Sequence, residues 1–201
     1  MPYYGRPGPS PVIAALRAVG FIRSDTRVLD VGCGTGVDAV ALGLWGVRRV
    51  VGIDSSRYDI ADARRRRTAM GLSAKQVEFV VGDMTRPHAE LRPRSFDLAL
   101  DTLVAQNIPP VLRARYAARL HELLVPGGVV LLQQRYYSAA GYAVRRADTE
   151  VSPSFHRFFR FDRAYFTDLC EEPQHSRHTG RLRIAVIVGE RRNRRRGESR
   201  R

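Results

Sequence analysis

Residues 28–36 read Val-Leu-Asp-Val-Gly-Cys-Gly-Thr-Gly, an apolar run broken by one acid and ending in three glycines at alternate positions. The run predicts a buried strand over Arg27–Val31. The glycines predict a tight turn that passes close to a bulky ligand, because glycine has no Cβ and tolerates positive φ. A dinucleotide-binding turn wants another glycine at the sixth position, where Val37 stands instead. A phosphate loop wants Gly-Lys-Ser/Thr, which does not follow. An acid followed by G-x-G-x-G suits a different ligand, one with a positive centre.

Strand-like and helix-like segments alternate on both sides of this turn, the pattern of an open parallel sheet. Ser10 is placed to cap a first helix running to about Val19, with Val12, Ile13, Leu16 and Val19 on one face. A helix through Ala39–Leu44 stops near Gly46, strand Val50–Ile53 follows, and a helix near Ile60–Met70 carries the run Arg64–Arg67. Val77–Val81 and Phe96–Leu100 read as strands three and four. Pro109 and Pro110 open the next helix. Pro126-Gly127-Gly128 is read as its stop and the turn into strand Val129–Leu132. Residues 134–180 are harder to read; a helix is expected near Asp162–Leu169 and a last strand at Leu182–Val188.

The 201 residues fit one domain, and 44% apolar with 27% charged residues excludes wholesale disorder. No apolar run approaches the ~20 residues that span a bilayer. The opening MPYYGRPGPSP lacks a signal or transit pattern, and Cys33 and Cys170 make neither a disulfide framework nor a zinc set. The expectation is a cytoplasmic chain. The formal charge is +14, and residues 191–201 hold seven arginines and one glutamate. That stretch reads as a disordered tail after a domain over 1–190, either solvated or able to meet nucleic acid. Lys75 is the only lysine, a bias that fits a GC-rich genome as well as any chemistry.

The string VLDVGCGTG resembles motif I of the class I S-adenosylmethionine-dependent methyltransferases, and its companions arrive in order. The resemblance covers roughly residues 5–133 well and 134–190 loosely. It implies a Rossmann-like three-layer α/β sandwich, with a mostly parallel seven-stranded sheet and a final antiparallel strand. It also implies S-adenosylmethionine as cofactor and S-adenosylhomocysteine as product, held by Asp30, Gly32, Cys33, Gly34 and Gly36. Asp54, with Ser55 beside it, ends strand two, where a carboxylate can take both ribose hydroxyls. Asp83 follows strand three, where the family's acid meets the adenine amino group, with Met84 near the ring. Asp101 ends strand four at the mouth of the site. Each acid has a second reading, since carboxylates at strand ends also cap the turn or helix that follows. Within the superfamily, GRPGPSPVIAAL, GCGTGVDAVALG and DTLVAQNIPPVLRARYAARLHELLVPGG look most like the thiopurine, thiol and halide methyltransferase branch.

A sulfonium is an activated methyl donor, so positioning alone lowers the barrier by ~7–11 kcal/mol in favourable cases. A dedicated catalytic residue is therefore optional. Asp101 is followed by Thr-Leu-Val, without the Asn/Asp-Pro-Pro-aromatic motif of base-amino methyltransferases, and no Pro-Cys supports cytosine C5 chemistry. Cys33 reads as a packing residue. Gln133 and Gln134 stand at the end of strand five, where catechol-type enzymes place a metal ligand, and no Mg²⁺ set forms around them. The catalytic candidates are His156, Tyr4 and Gln134. His156 is the best general-base candidate, because the reference pKa of histidine lies near neutrality. Tyr3 and Tyr4 ride an N-terminal arm, residues 1–11, that can fold over the site as a lid. Gln106 and Asn107 follow strand four, and Gln134, Tyr136 and Tyr137 follow strand five. Phe155, His156, Phe158 and Phe159 either roof the acceptor pocket or pack under a helix.

The function expected is methyl transfer to a small molecule by in-line displacement without metal, with no membrane partner. An RNA or protein methyltransferase using the basic tail is the alternative, and a cofactor-binding protein without catalysis is a third. The acceptor atom and the oligomeric state stay open.

Overall fold

The structure, a computed structural model, describes residues 8–138, 153–167 and 181–192. Seven strands make one sheet: β1 (Arg27–Val31), β2 (Arg49–Asp54), β3 (Val77–Val81), β4 (Phe96–Thr102), β5 (Leu124–Ser138), β6 (Phe159–Thr167) and β7 (Arg181–Arg191). Their order is β3-β2-β1-β4-β5-β7-β6. The first five pair in parallel, and β7 runs antiparallel to both of its neighbours, β5 and β6. This is the expected sheet with its one antiparallel strand.

Successive residues of the parallel strands face opposite layers, so apolar runs rather than alternation are required. Val28, Val50 and Leu98 pack on one side with Ile13 of α1 (Pro11–Ala18), Val40 and Leu42 of α2 (Val37–Leu44) and Ile60 of α3 (Arg57–Ala69). Leu29, Val51 and Ala99 face the other side, under Tyr116, Leu120 and Leu123 of α4 (Pro110–Leu123). Chain direction across the sheet reverses between β1 and β4, and open α/β sheets bind ligands at the carboxyl ends of strands flanking such a point.

Four expectations need correction. Ser10 occupies the N-cap position of α1, but its side chain makes no cap hydrogen bond. Its hydroxyl is aimed at Gln133 instead. Pro126-Gly127-Gly128 does not end α4, which stops at Leu123; these residues sit within β5, between the pairings Phe96↔Leu124 and Leu98↔Val129. The segment expected as a helix near 162–169 is strand through Thr167. Phe159, Phe161, Tyr165 and Phe166 are good strand formers, and they cover the outer edge of β7, which would otherwise lie bare. Finally, β7 extends through Arg191, so the first residue assigned to the tail belongs to the sheet. The rest of the tail from residue 193, and the arm bearing Tyr3 and Tyr4, lie outside the described residues.

Arg64–Arg67 are spent on the fold. Arg64 Nη2 and Arg67 Nη1 donate to the carbonyls of Phe79 (2.7 Å) and Val77 (3.2 Å) on edge strand β3. Arg66 Nε donates to Thr35 O at 3.2 Å, and Arg65 pairs with Asp62 on the surface.

Candidate functional site

A cavity of about 760 Å³ opens at the carboxyl ends of β1 to β4. That volume falls in the ~300–1,000 Å³ range of cofactor and substrate sites. Its floor is the turn Gly32–Gly36, where Gly32, Gly34 and Gly36 have φ of 63°, 51° and 74°. Two of these glycines have a steric reason as well. A Cβ on Gly32 would collide with Val104, and one on Gly36 would lie 2.6 Å from the Phe79 ring and 2.8 Å from Ala63.

Carboxylates shape the rest. Asp30, 2% exposed, lines the cavity, and its Oδ2 has no hydrogen-bond partner. Burial, then the neighbouring charges of Asp38 and Asp54, push its pKa well up; the Ala39 backbone N–H pulls weakly the other way. Asp38, in the first turn of α2, accepts from Ser10 N–H at 2.6 Å, and burial raises it too. Asp54 accepts from Gly34 N–H through Oδ2 (2.9 Å) and from Ser56 N–H through Oδ1 (2.8 Å). A carboxylate has about four lone-pair sites, so both oxygens keep capacity for a ligand. Asp83 accepts from both the N–H and the hydroxyl of Thr85 at 2.8 Å, and the Thr85 N–H holds it below the usual carboxylate range. Met84 is buried beside it. Asp30, Asp38, Asp54 and Asp83 all line the cavity, and among the described residues no basic side chain does. Such a site favours a cation.

The cavity thus gathers Asp30, Gly32, Cys33, Gly34, Asp54, Ser55, Asp83 and Met84, and also Gln106 and Asn107. Cys33 is not set up as a nucleophile, because burial and the Asp30 and Asp54 charges push its thiol pKa far up.

Four candidates fall elsewhere, the first being Gly36, which is not in the lining and packs against Phe79 and Ala63. Asp101 does not line the cavity. It is fully buried and caps the following turn, accepting from Val104 N–H (2.8 Å), Ala105 N–H (3.1 Å) and the Tyr116 hydroxyl (2.6 Å). In this structure it takes the second reading, capping the turn that follows. Gln134 also lies off the cavity, because strand alternation turns it away from the side taken by fully buried Gln133. Gln133 Nε2 donates to Thr102 Oγ1 at 3.2 Å. His156 ends the short helix Pro153–His156, with its ring edge-on to Phe161 at 5.3 Å, also outside the cavity lining. Phe155 and Phe159 are core residues, and Phe155 meets Tyr116 edge-on at 6.0 Å. Tyr4 lies outside the described residues.

Sequence reasoning missed Asp38, Ser10 and Thr102 as cavity residues. Asp38 had a signal, an acid in the first turn of the helix leaving the glycine bend. Leu103 had none: it lines the cavity at φ 67°, a left-handed conformation unusual for a side chain of its size.

Residues 28–128 match a family model described as a methyltransferase domain. A probable thiol methyltransferase 2 of Arabidopsis thaliana is 35% identical over 124 residues, 61% of this chain and 52% of the relative. A ribosomal protein L11 methyltransferase of Geobacter metallireducens is 32% identical over 117 residues, 58% of this chain and 35% of the relative. The chain therefore spans about half, or less, of the length of these relatives. Among solved structures, a 1,6-didemethyltoxoflavin-N1-methyltransferase of Burkholderia thailandensis, with its substrate and S-adenosylhomocysteine bound, superposes with a TM-score of 0.68 at 19% identity. The match covers 95% of this chain and 81% of that one, a likeness of fold.

Proposed function

This chain belongs to the methyltransferase domain family, and we propose that it transfers a methyl group from S-adenosylmethionine to a small-molecule acceptor by in-line displacement without metal. One observation carries the cofactor reading: the buried, unpartnered Oδ2 of Asp30 at the cavity wall. An orphaned carboxylate oxygen is costly unless a cationic group meets it, and the cofactor brings both an ammonium and a sulfonium. The residues present fit that group. Asp54 keeps lone pairs for the two ribose hydroxyls, Asp83 and Met84 would meet the adenine, and the bare backbone of Gly32 and Gly34 admits close approach.

When bound, the cofactor supplies a methyl already activated by its sulfonium. The protein's part is to orient the acceptor and exclude water, for which Leu103, Val104 and Ile108 provide the apolar wall. His156 packs away from the cavity, and no general base is assigned among the described residues; acceptors that ionise readily or need no deprotonation do not require one. A thiol or a related soft nucleophile fits best, in line with the name of the Arabidopsis relative and with the branch its motifs resemble. Incubation with methyl-labelled cofactor and a panel of thiols, halides, phenols, amines and RNA tests this. Label on a thiol is the expected outcome, and label on RNA or protein alone overturns it.

A macromolecular acceptor is the second reading, favoured by the Arg-rich residues 193–201 and by the protein target in the name of the Geobacter relative. A cofactor-binding protein without catalysis would bind S-adenosylhomocysteine yet label nothing in that panel.

A further inference from the structure

We propose that Gln133 is a positioning residue, which aims the Thr102 hydroxyl at the carboxylate of the cofactor's methionine moiety. The inference rests on the reading of the cavity as an S-adenosylmethionine site, and it names the side chain that receives that carboxylate.

The amino-acid end of the cofactor brings a carboxylate among four aspartates, with no basic side chain among the described residues of the lining. Hydrogen-bond donors must meet it. Of the N–H groups of the glycine turn, that of Thr35 alone is left without a partner among the described residues. Gly32 and Cys33 N–H donate to Ile53 O at 2.8 and 3.2 Å, Gly36 N–H to Cys33 O at 2.9 Å, and Gly34 N–H to Asp54. Ser10 is committed too: its N–H goes to Asp38, and its hydroxyl makes a long 3.5 Å contact to Gln133 Oε1.

Thr102 also has a donor to give, and it is the one held in place by a neighbouring side chain. Its Oγ1 accepts from Gln133 Nε2 at 3.2 Å, while its own proton has no acceptor among the described residues. An amide N–H held against a hydroxyl's lone pair turns the hydroxyl's hydrogen away from the amide, here to the cavity side, since Thr102 lines the cavity and Gln133 lies behind it. Gln133 is well placed for this, as Thr102's direct partner across β4 and β5. Register also puts the donor in reach of the orphaned acid. Asp30 pairs with Leu100, so Thr102 lies one strand across (~4.8 Å) and two residues along (~6.6 Å). An α-amino acid with its ammonium at Asp30 and its carboxylate at Thr102 bridges that gap.

Calorimetric titration with S-adenosylhomocysteine and with its decarboxylated analogue, which keeps the amine, separates the two ends. Thr102→Val should weaken S-adenosylhomocysteine about tenfold, the size of one hydrogen bond to a charged group, and leave the analogue unchanged. Thr102→Ser should restore affinity. Gln133→Glu places an acceptor-only carboxylate behind Thr102, draws its proton inward, and should weaken S-adenosylhomocysteine at least as much, again sparing the analogue. Equal losses for both ligands would make these residues merely structural and overturn the proposal, as would no loss for either. Failure of the unmodified protein to bind either ligand would instead overturn the cofactor reading, and this proposal with it.

Discussion

Asp54 and Gly34 are joined by a 2.9 Å hydrogen bond from the glycine N–H to the carboxylate Oδ2, which ties the end of β2 to the apex of the bend that follows β1. One side chain therefore does two things. It fixes the shape of the cavity floor, and it offers the remaining lone pairs of the carboxylate to a ligand. Asp54→Ala should weaken S-adenosylhomocysteine by about 1.5–3 kcal/mol, read by calorimetry. Unchanged affinity would remove Asp54 from the binding site.

Asp101 gives a pH prediction. Burial pushes its pKa up from 3.8 to about 6, against the opposing hydrogen bonds from Tyr116, Ala105 and Val104. The folded state thus holds this proton more tightly than the unfolded chain. The contribution is full below about pH 4 and is lost as pH rises through about 6. Denaturant midpoints measured from pH 4 to 8 should contain a falling component over that window, absent in Asp101→Asn. A flat difference between the two proteins would contradict the assignment.

Tyr116 bonds the same carboxylate at 2.6 Å in the core. Tyr116→Phe should cost about 1.5–3 kcal/mol at pH 7, where the acid is ionised, and markedly less at pH 4. Equal costs at both pH values would show that the loss is one of packing alone.

Leu103, at φ 67°, inverts an ordinary preference. A left-handed residue with a Cβ costs roughly 1–2 kcal/mol, a cost glycine escapes. Leu103→Gly should therefore be more stable than Leu103→Ala by about 1 kcal/mol in chemical denaturation. The opposite order would mean that the loop is not held in this conformation.

Arg191 sets where the chain can be shortened. Its Nε donates to His121 O at 2.8 Å, and Arg192 N–H donates to Phe158 O at 2.9 Å. Deletion of residues 193–201 should leave turnover of a small acceptor nearly intact, whereas deletion from Arg191 should lower the melting temperature. A large loss of turnover on the shorter deletion would favour a macromolecular acceptor.

Much of this was legible in the sequence because buried parallel strands are written as unbroken apolar runs. Arg27–Val31 and Val77–Val81 have the limits expected of them. The glycine bend was legible because few residues tolerate its backbone. What stayed hidden depends on partners distant in the chain. The aromatic residues of Phe159–Thr167 favour a strand, but it is the open edge of β7, distant in the chain, that decides β6. Gln133 and Gln134 are equivalent as letters, and only the pairing with Thr102 shows which one backs the cavity. Asp54 is the last residue of its strand and Asp101 the last but one of its own, yet Asp101 caps its own turn in the core and Asp54 faces the cavity. Strand-end position alone does not separate these two uses of a carboxylate.

The most direct measurement is a calorimetric titration of the purified chain with S-adenosylhomocysteine, repeated on Asp30→Asn. Saturable one-to-one binding, weakened when the orphaned oxygen of Asp30 loses its charge, is the predicted result. An absence of binding heat at any ligand concentration, with the protein shown to be folded, would contradict the account.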